Sequence, residues 1–109
     1  MYVSVTGLRP KSFAGTLRFW LLAVPSFRQA QTAQGNMFCA VKKINGHQCT
    51  LTAWESREQM LNFMRSGVHL KAMKAFGSIA TGKTYGYETD TIPGWDEAFA
   101  LLQEKGRVY

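Results

Sequence analysis

Acidic residues are scarce in this 109-residue chain: seven Asp and Glu stand against thirteen Lys and Arg, for a net charge of +6. A basic balance raises nucleic acid as a partner. The longest basic run, however, is only Lys42-Lys43, and the others are spread from Arg9 to Arg107. With neither stripe nor cluster, the charge reads as solubility, and no nucleic-acid partner is expected. Histidine and cysteine are scarcer still, two of each. His47, His69, Cys39 and Cys49 have no metal-ligand spacing, so no metal centre is expected. Two cysteines make no disulfide framework, and free thiols suit a reducing compartment, the cytoplasm by default. Long apolar runs are missing too, since nothing approaches the roughly 20 residues that a membrane span needs. Phe19-Trp20-Leu21-Leu22-Ala23-Val24 behind Arg9, Lys11 and Arg18 imitates a signal peptide. It stops at Pro25, however, and no small-x-small cleavage site follows. No membrane partner is expected. Internal repeats and low-complexity segments are also absent.

What remains is globular. The chain is 46% hydrophobic and 18% charged, with seven Phe, four Tyr and three Trp, a length and composition that suit one domain over residues 1–109. A monomer of this size buries only roughly 65% of its unfolded surface, so so many aromatics imply a dense core or apolar surface awaiting a partner.

Tyr2 to Leu8 alternates as a strand does, with Val3 and Val5 opposite Ser4 and Thr6. Pro10 and Ser12 open a helix whose apolar residues Phe13, Leu17, Trp20, Leu21 and Val24 share one face, and Pro25 is expected to end or kink it. Arg28 to Gly35 is polar and reads as a connection or a continuation of that helix. Met37–Ile44 and His47–Trp54 flank Asn45-Gly46, a strong hairpin signal because both turn positions need positive φ. Pairing 44 with 47 puts Phe38, Ala40, Ile44, Cys49, Leu51 and Ala53 on one face. Met37, Cys39, Val41, Thr50, Thr52 and Trp54 fall on the other, so the two cysteines point apart and are not expected to bond. Ser56 with Gln59 forms a capping-box pattern for a helix that buries Met60, Phe63 and Met64. Ser66-Gly67 interrupts it, and a second piece carries His69, Ala72, Met73 and Phe76. A Gly-rich loop leads to a strand over 84–89. The last helix turns Trp95, Phe99 and Leu102 inward and stops at Gly106.

This order predicts an α+β fold of the ferredoxin-like, split-βαβ kind, with two helices on one face of a four-stranded antiparallel sheet. The opposite face is expected to show Met37, Cys39, Val41 and Trp54, and a second copy is the commonest cover for such a face. A homodimer follows from that reasoning.

Gly77 to Thr84 satisfies the GxxxxGK[ST] pattern of a phosphate-binding loop. That chemistry needs a strand before the loop and a helix after it, whereas here a helical pattern precedes it and Tyr85-Gly86-Tyr87 follows. Nucleotide hydrolysis is not expected. His69 is either a hydrogen-bonded core or rim histidine, or a general base, proton relay or axial haem ligand facing an apolar cleft. His47 is expected to be exposed beside the turn. Trp54 is packing or pocket wall, and Met60, Met64 and Met73 are core filler or pocket lining. Arg57 and Arg65 read as solvated helix charges.

Leu51-Thr-Ala-Trp54-Glu55-Ser56, Phe63-Met64-Arg65-Ser66, His69 and Met73 together resemble the core of the antibiotic-biosynthesis-monooxygenase superfamily, the dimeric α/β barrels. The tract from His47 to Phe76 carries most of the likeness. It is also similar to spheroidene-monooxygenase-like proteins, which contain haem, and to other bacterial branches. The resemblance implies a homodimer with a pocket between helices and sheet, for a small apolar or aromatic molecule oxidised by molecular oxygen, or for haem. On that basis His69 is the candidate catalytic residue, with Trp54, Phe63, Met64, Met73 and Trp20 as substrate-binding residues. The cofactor is either none or haem. The alternative is a non-catalytic homodimer that binds a small ligand or haem. In the haem-degrading branch an Asn, a Trp and a His stand where this chain has Thr6, Phe63 and Met73, which argues against that mechanism here.

Overall fold

A computed structural model describes residues 1–67, 70, 71, 74, 75 and 80–108. Five strands and three helices are defined among them: β1 (Tyr2–Pro10), α1 (Phe13–Thr32), β2 (Asn36–Ile44), β3 (His47–Trp54), α2 (Arg57–Met64), β4 (Ala80–Glu88), α3 (Trp95–Lys105) and β5 (Arg107–Val108). The strands form one antiparallel sheet in the order β2-β3-β1-β4-β5. Its first four strands have the split-βαβ order. The expected four-stranded sheet gains β5, because Gly106 ends α3 and the chain then turns back along Lys83 and Thr84.

The hairpin forms on the register that its turn dictates. Asn45 (φ 49°) and Gly46 (φ 79°) both take positive φ, and Ile44 pairs with His47, Lys42 with Cys49 and Cys39 with Thr52. An irregularity between Asn36 and Phe38 takes Met37 out of the alternation. Both thiols are free, as the alternation requires.

Both faces of the sheet are covered by helices of this same chain. On one face Val3, Val5, Leu51 and Ala53 are closed over by Ala98 and Leu102 of α3, with Phe38, Tyr85, Tyr87, Trp95 and Phe99 around them. The other face carries Tyr2, Leu8, Cys39 and Trp54 and lies under α1 and α2, against Phe19, Ala30, Met60 and Phe63. This corrects the expectation of an uncovered apolar face: Trp54 is 0% exposed and Cys39 half-buried beneath helices, and the face opposite is filled by α3. Met37 and Val41 do remain exposed, at the β2 edge.

In α1 one open alternative is decided and one expectation corrected. It continues through Pro25 to Thr32, so the polar stretch after Pro25 is helix for most of its length. The missing proline N–H frees a carbonyl on Leu21, a residue on the exposed side, where water can serve it. The helix is also rotated from its expected phase. Phe19 is 4% exposed and Ser26 and Ala30 are buried, whereas Leu17 is 62% and Leu21 69% exposed. Ser26 is accommodated by donating its Oγ hydrogen to the Leu22 carbonyl at 2.8 Å.

α2 starts as its sequence predicts. Ser56 is the N-cap, its Oγ accepting from the Gln59 amide at 3.3 Å and lying 3.2 Å from Gln59 Oε1. Gln29 of α1 donates to the Ser66 carbonyl at 3.0 Å, which ties the two helices together just beyond α2. β4 begins four residues before the expected 84, so Gly82, Lys83 and Thr84 are paired strand residues opposite Leu8, Gly7 and Thr6. A phosphate-binding loop is therefore not formed by that part of the motif; residues 77–79 lie outside those described.

Candidate functional site: an apolar cavity between α1, α2 and the sheet

The two helices do not close down completely on their face of the sheet. Small and medium side chains face each other there, Thr6, Thr50 and Thr52 from the strands and Ala23 and Ala30 from α1, and the space between them is a cavity of about 450 Å³. Its wall is largely apolar: Phe19, Trp20, Ala23, Val24 and Phe27 from α1, Met60, Phe63 and Met64 from α2, and Trp54 at the end of β3. A volume of this size suits a small organic ligand.

One end is rigid. Trp54 stacks on Phe63 with ring centroids 5.2 Å apart and planes inclined by 27°. Its indole N–H donates to Thr52 Oγ1 at 3.0 Å, and Thr52 Oγ1 lies 3.5 Å from the Ser4 carbonyl. Burying the Trp ring therefore leaves no unmet donor, and its orientation is fixed from two sides. At the floor, Thr6 and Thr84 share a hydroxyl–hydroxyl bond of 3.1 Å across β1 and β4. The other end opens beside Trp20, Val24 and Val41, which line the cavity and are also exposed. Trp20 meets Phe19 edge-on, with centroids 5.5 Å apart.

The substrate-binding candidates Trp20, Trp54, Phe63 and Met64 thus all line this cavity, and so does Met60. His69 and Met73 lie outside the described residues. Sequence reading missed most of the α1 side, because Phe19, Ala23, Phe27 and Ala30 were assigned no face. It also missed the threonine floor, which only the β1–β4 pairing brings together.

Among the described residues, the lining contains no Asp, Glu, His, Lys or Tyr; Arg28 is its ionisable side chain, since Cys49 borders the cavity but turns its thiol to the α3 face, beside His47 and Leu102. Burial pushes the Cys49 thiol up from its usual range, with a weaker opposing pull from a backbone hydrogen bond, and so keeps it protonated at neutral pH. Cys39 is raised likewise by burial, against a side-chain bond from Asn36 at 3.4 Å. His47, expected to be exposed, is half-buried: its ring lies 6.2 Å from that of Phe99, and its Nδ1 is buried with no hydrogen-bond partner. It belongs to the α3 side of the sheet, away from the cavity, because strand alternation turns position 47 with Cys49 and Leu51.

Haem, one of the two cofactor outcomes that the resemblance implies, fits this wall poorly. The described lining has no imidazole, and Arg28 is its single cation for two propionates. Met60 and Met64 are its two thioethers, and both pack into the cluster of Trp54 and Phe63. Nor do the described residues contain a group of three His, Cys, Asp or Glu that could hold a metal ion.

These features define a class: a ferredoxin-like α+β sheet with an apolar cavity under its first two helices. Neither a protein-family model nor a curated protein sequence matches the chain. Solved structures do. A protein of Deinococcus radiodurans classed with the antibiotic biosynthesis monooxygenases aligns with a TM-score of 0.71 at 17% identity, over 86% of this chain and 97% of that one. One from Nitrosomonas europaea, of the same description, gives a TM-score of 0.70 at 14% identity, over 84% and 100%. SnoaB, a cofactor-independent oxygenase from Streptomyces nogalater, gives 0.67 at 9% identity, over 85% and 97%. The chain has the fold of the antibiotic biosynthesis monooxygenases.

Proposed function

We propose that the protein is a monooxygenase-like enzyme, a single domain over residues 1–109, that oxidises a small apolar or aromatic molecule held in the cavity. The observation that carries this reading is the wall itself: a largely apolar, aromatic-lined space of about 450 Å³, in a fold shared with an oxygenase that needs no cofactor. Such a wall excludes water and binds a flat aromatic through Trp54, Phe63, Met64 and Trp20. An electron-rich phenol supplies its own electrons: a phenolic ring with a free para C–H plus O₂ gives a quinone plus water. The protein then has to bind, orient and take a proton. His69 is the proposed base, on sequence position alone, and Met73 a proposed further contact. Two free thiols suit the cytoplasm as the setting.

The second reading is a non-catalytic small-ligand protein, and the absence of an acid or base in the described lining favours it. A homodimer belongs to either reading through the resemblance.

An oxygen electrode separates the two. Metal-stripped protein is mixed with a panel of polyphenols and compared with its Ala23→Phe and His69→Ala variants. The enzymatic reading predicts uptake that saturates with substrate and falls at least about tenfold in both variants. Binding without uptake in the native protein contradicts it and establishes the second reading.

A further inference from the structure

The excess positive charge is not shared along the chain. Residues 1–54 carry Arg9, Lys11, Arg18, Arg28, Lys42 and Lys43 and no acidic residue, whereas residues 55–109 balance seven basic against seven acidic. The whole net charge of +6 thus sits on β1, α1, the link between them and the β2–β3 hairpin, and all six side chains are exposed.

The same half bears an apolar stripe. Leu17, Trp20, Leu21 and Val24 follow one another at helical spacing on one face of α1, and all four are exposed. The next position on that face is Arg28. Trp20, Val24 and Arg28 also line the cavity, together with the exposed Val41 of β2. Lys43, two residues beyond Val41, lies on the same side of the sheet. An apolar helix face bordered by cations therefore runs up to the opening of an apolar cavity.

We infer that this face docks on an anionic lipid bilayer. Leu17, Trp20, Leu21 and Val24 enter the interface, and Arg18, Arg28 and Lys43 meet headgroup phosphates with their aliphatic stems along the acyl boundary. The cavity then opens onto the phase in which apolar molecules concentrate. No helix among the described residues is long and apolar enough to cross a membrane, and surface attachment needs none. Charge decides against a second copy as the occupant. A two-fold pairing of this face would set Arg18 and Arg28 of one chain against those of another, with no acidic side chain in residues 1–54 to offset them. The inference does not depend on oxygenase activity, because its readout is binding.

The test is co-sedimentation of the full chain with vesicles of phosphatidylcholine alone, or with roughly one third phosphatidylglycerol, at low and moderate salt. The expected result is binding about tenfold or more stronger on the anionic vesicles, weakening as salt rises. A Leu17→Ser/Leu21→Ser double variant should lose that preference-bearing binding by at least about tenfold while melting as the native protein does, because both side chains are exposed. Arg18→Glu/Lys43→Glu should weaken it more than fivefold per charge reversed, as about fivefold is expected for each charge removed. Absence of anionic-vesicle binding overturns the inference. So does equal binding to neutral vesicles, or a double variant that binds like the native chain. A native chain that self-associates in sedimentation velocity, and does so no longer with the two serines, identifies the stripe as a protein interface and overturns it as well.

Discussion

Trp54 is the residue on which most of the cavity's geometry converges. It is fully buried, stacked on Phe63, and hydrogen-bonded through its N–H to Thr52. Trp54→Ala is expected to destabilise the fold by about 3–5 kcal/mol, read from urea unfolding at equilibrium, as for other large core truncations. Ser56→Ala removes the cap of α2 and should cost about 1 kcal/mol. The thiols make a pH prediction. Burial raises both Cys39 and Cys49 above their ordinary value of 9.0. An acid whose folded pKa is raised binds more protons in the folded than in the unfolded state, so stability is complete below the unfolded value and falls as pH climbs through it. Tyr87, raised by burial and then by Glu97 and Tyr85, adds to the same trend higher up. Unfolding midpoints should thus be flat near neutrality and decline above about pH 9. A Cys39→Ala/Cys49→Ala protein should show a shallower decline from its own starting point.

Among the elements, α1 shows where sequence is a poor guide. Short-range signals with one physical meaning were legible: Asn45-Gly46 specifies its turn because each position needs positive φ, and Ser56 with Gln59 marks a helix start because hydroxyl and amide are in reach. The phase of α1 was not legible. Residues 19–24 are apolar without a break, so a stripe through Leu17, Leu21 and Val24 and one through Phe19, Leu22 and Ala23 both satisfy a helical period. The second is buried because the β1 face it meets, at Leu8, is where Phe19 packs. The chain can hold the first stripe in water, though at a cost that a lipid surface would relieve. Stability measurements separate the two directly. Phe19→Ala should cost about 3–5 kcal/mol, while Leu17→Ser and Leu21→Ser should each change stability by less than about 0.5 kcal/mol. The reverse ranking would mean that the helix is rotated to its sequence-expected phase.

For the molecule as a whole, the strand order and the helix on each side of the sheet decide what the chain can do. The order of elements was readable because each has its own periodicity and punctuation. What escaped was the destination of the last helix. Trp95, Phe99 and Leu102 were legible as an inward face, but not that this face lies on Val3, Val5, Leu51 and Ala53, a contact of long sequence separation. With α3 there, the cavity lies on the face under α1 and α2, where Trp20, Trp54, Phe63 and Met64 meet from three different elements. The account therefore rests on that cavity accepting a guest, and equilibrium dialysis with a small polyphenol measures it most directly. One molecule per chain is expected to bind, and Ala23→Phe, which fills the space from the α1 side, should weaken binding at least about tenfold with an unchanged melting temperature. Undiminished binding in that variant would contradict the account.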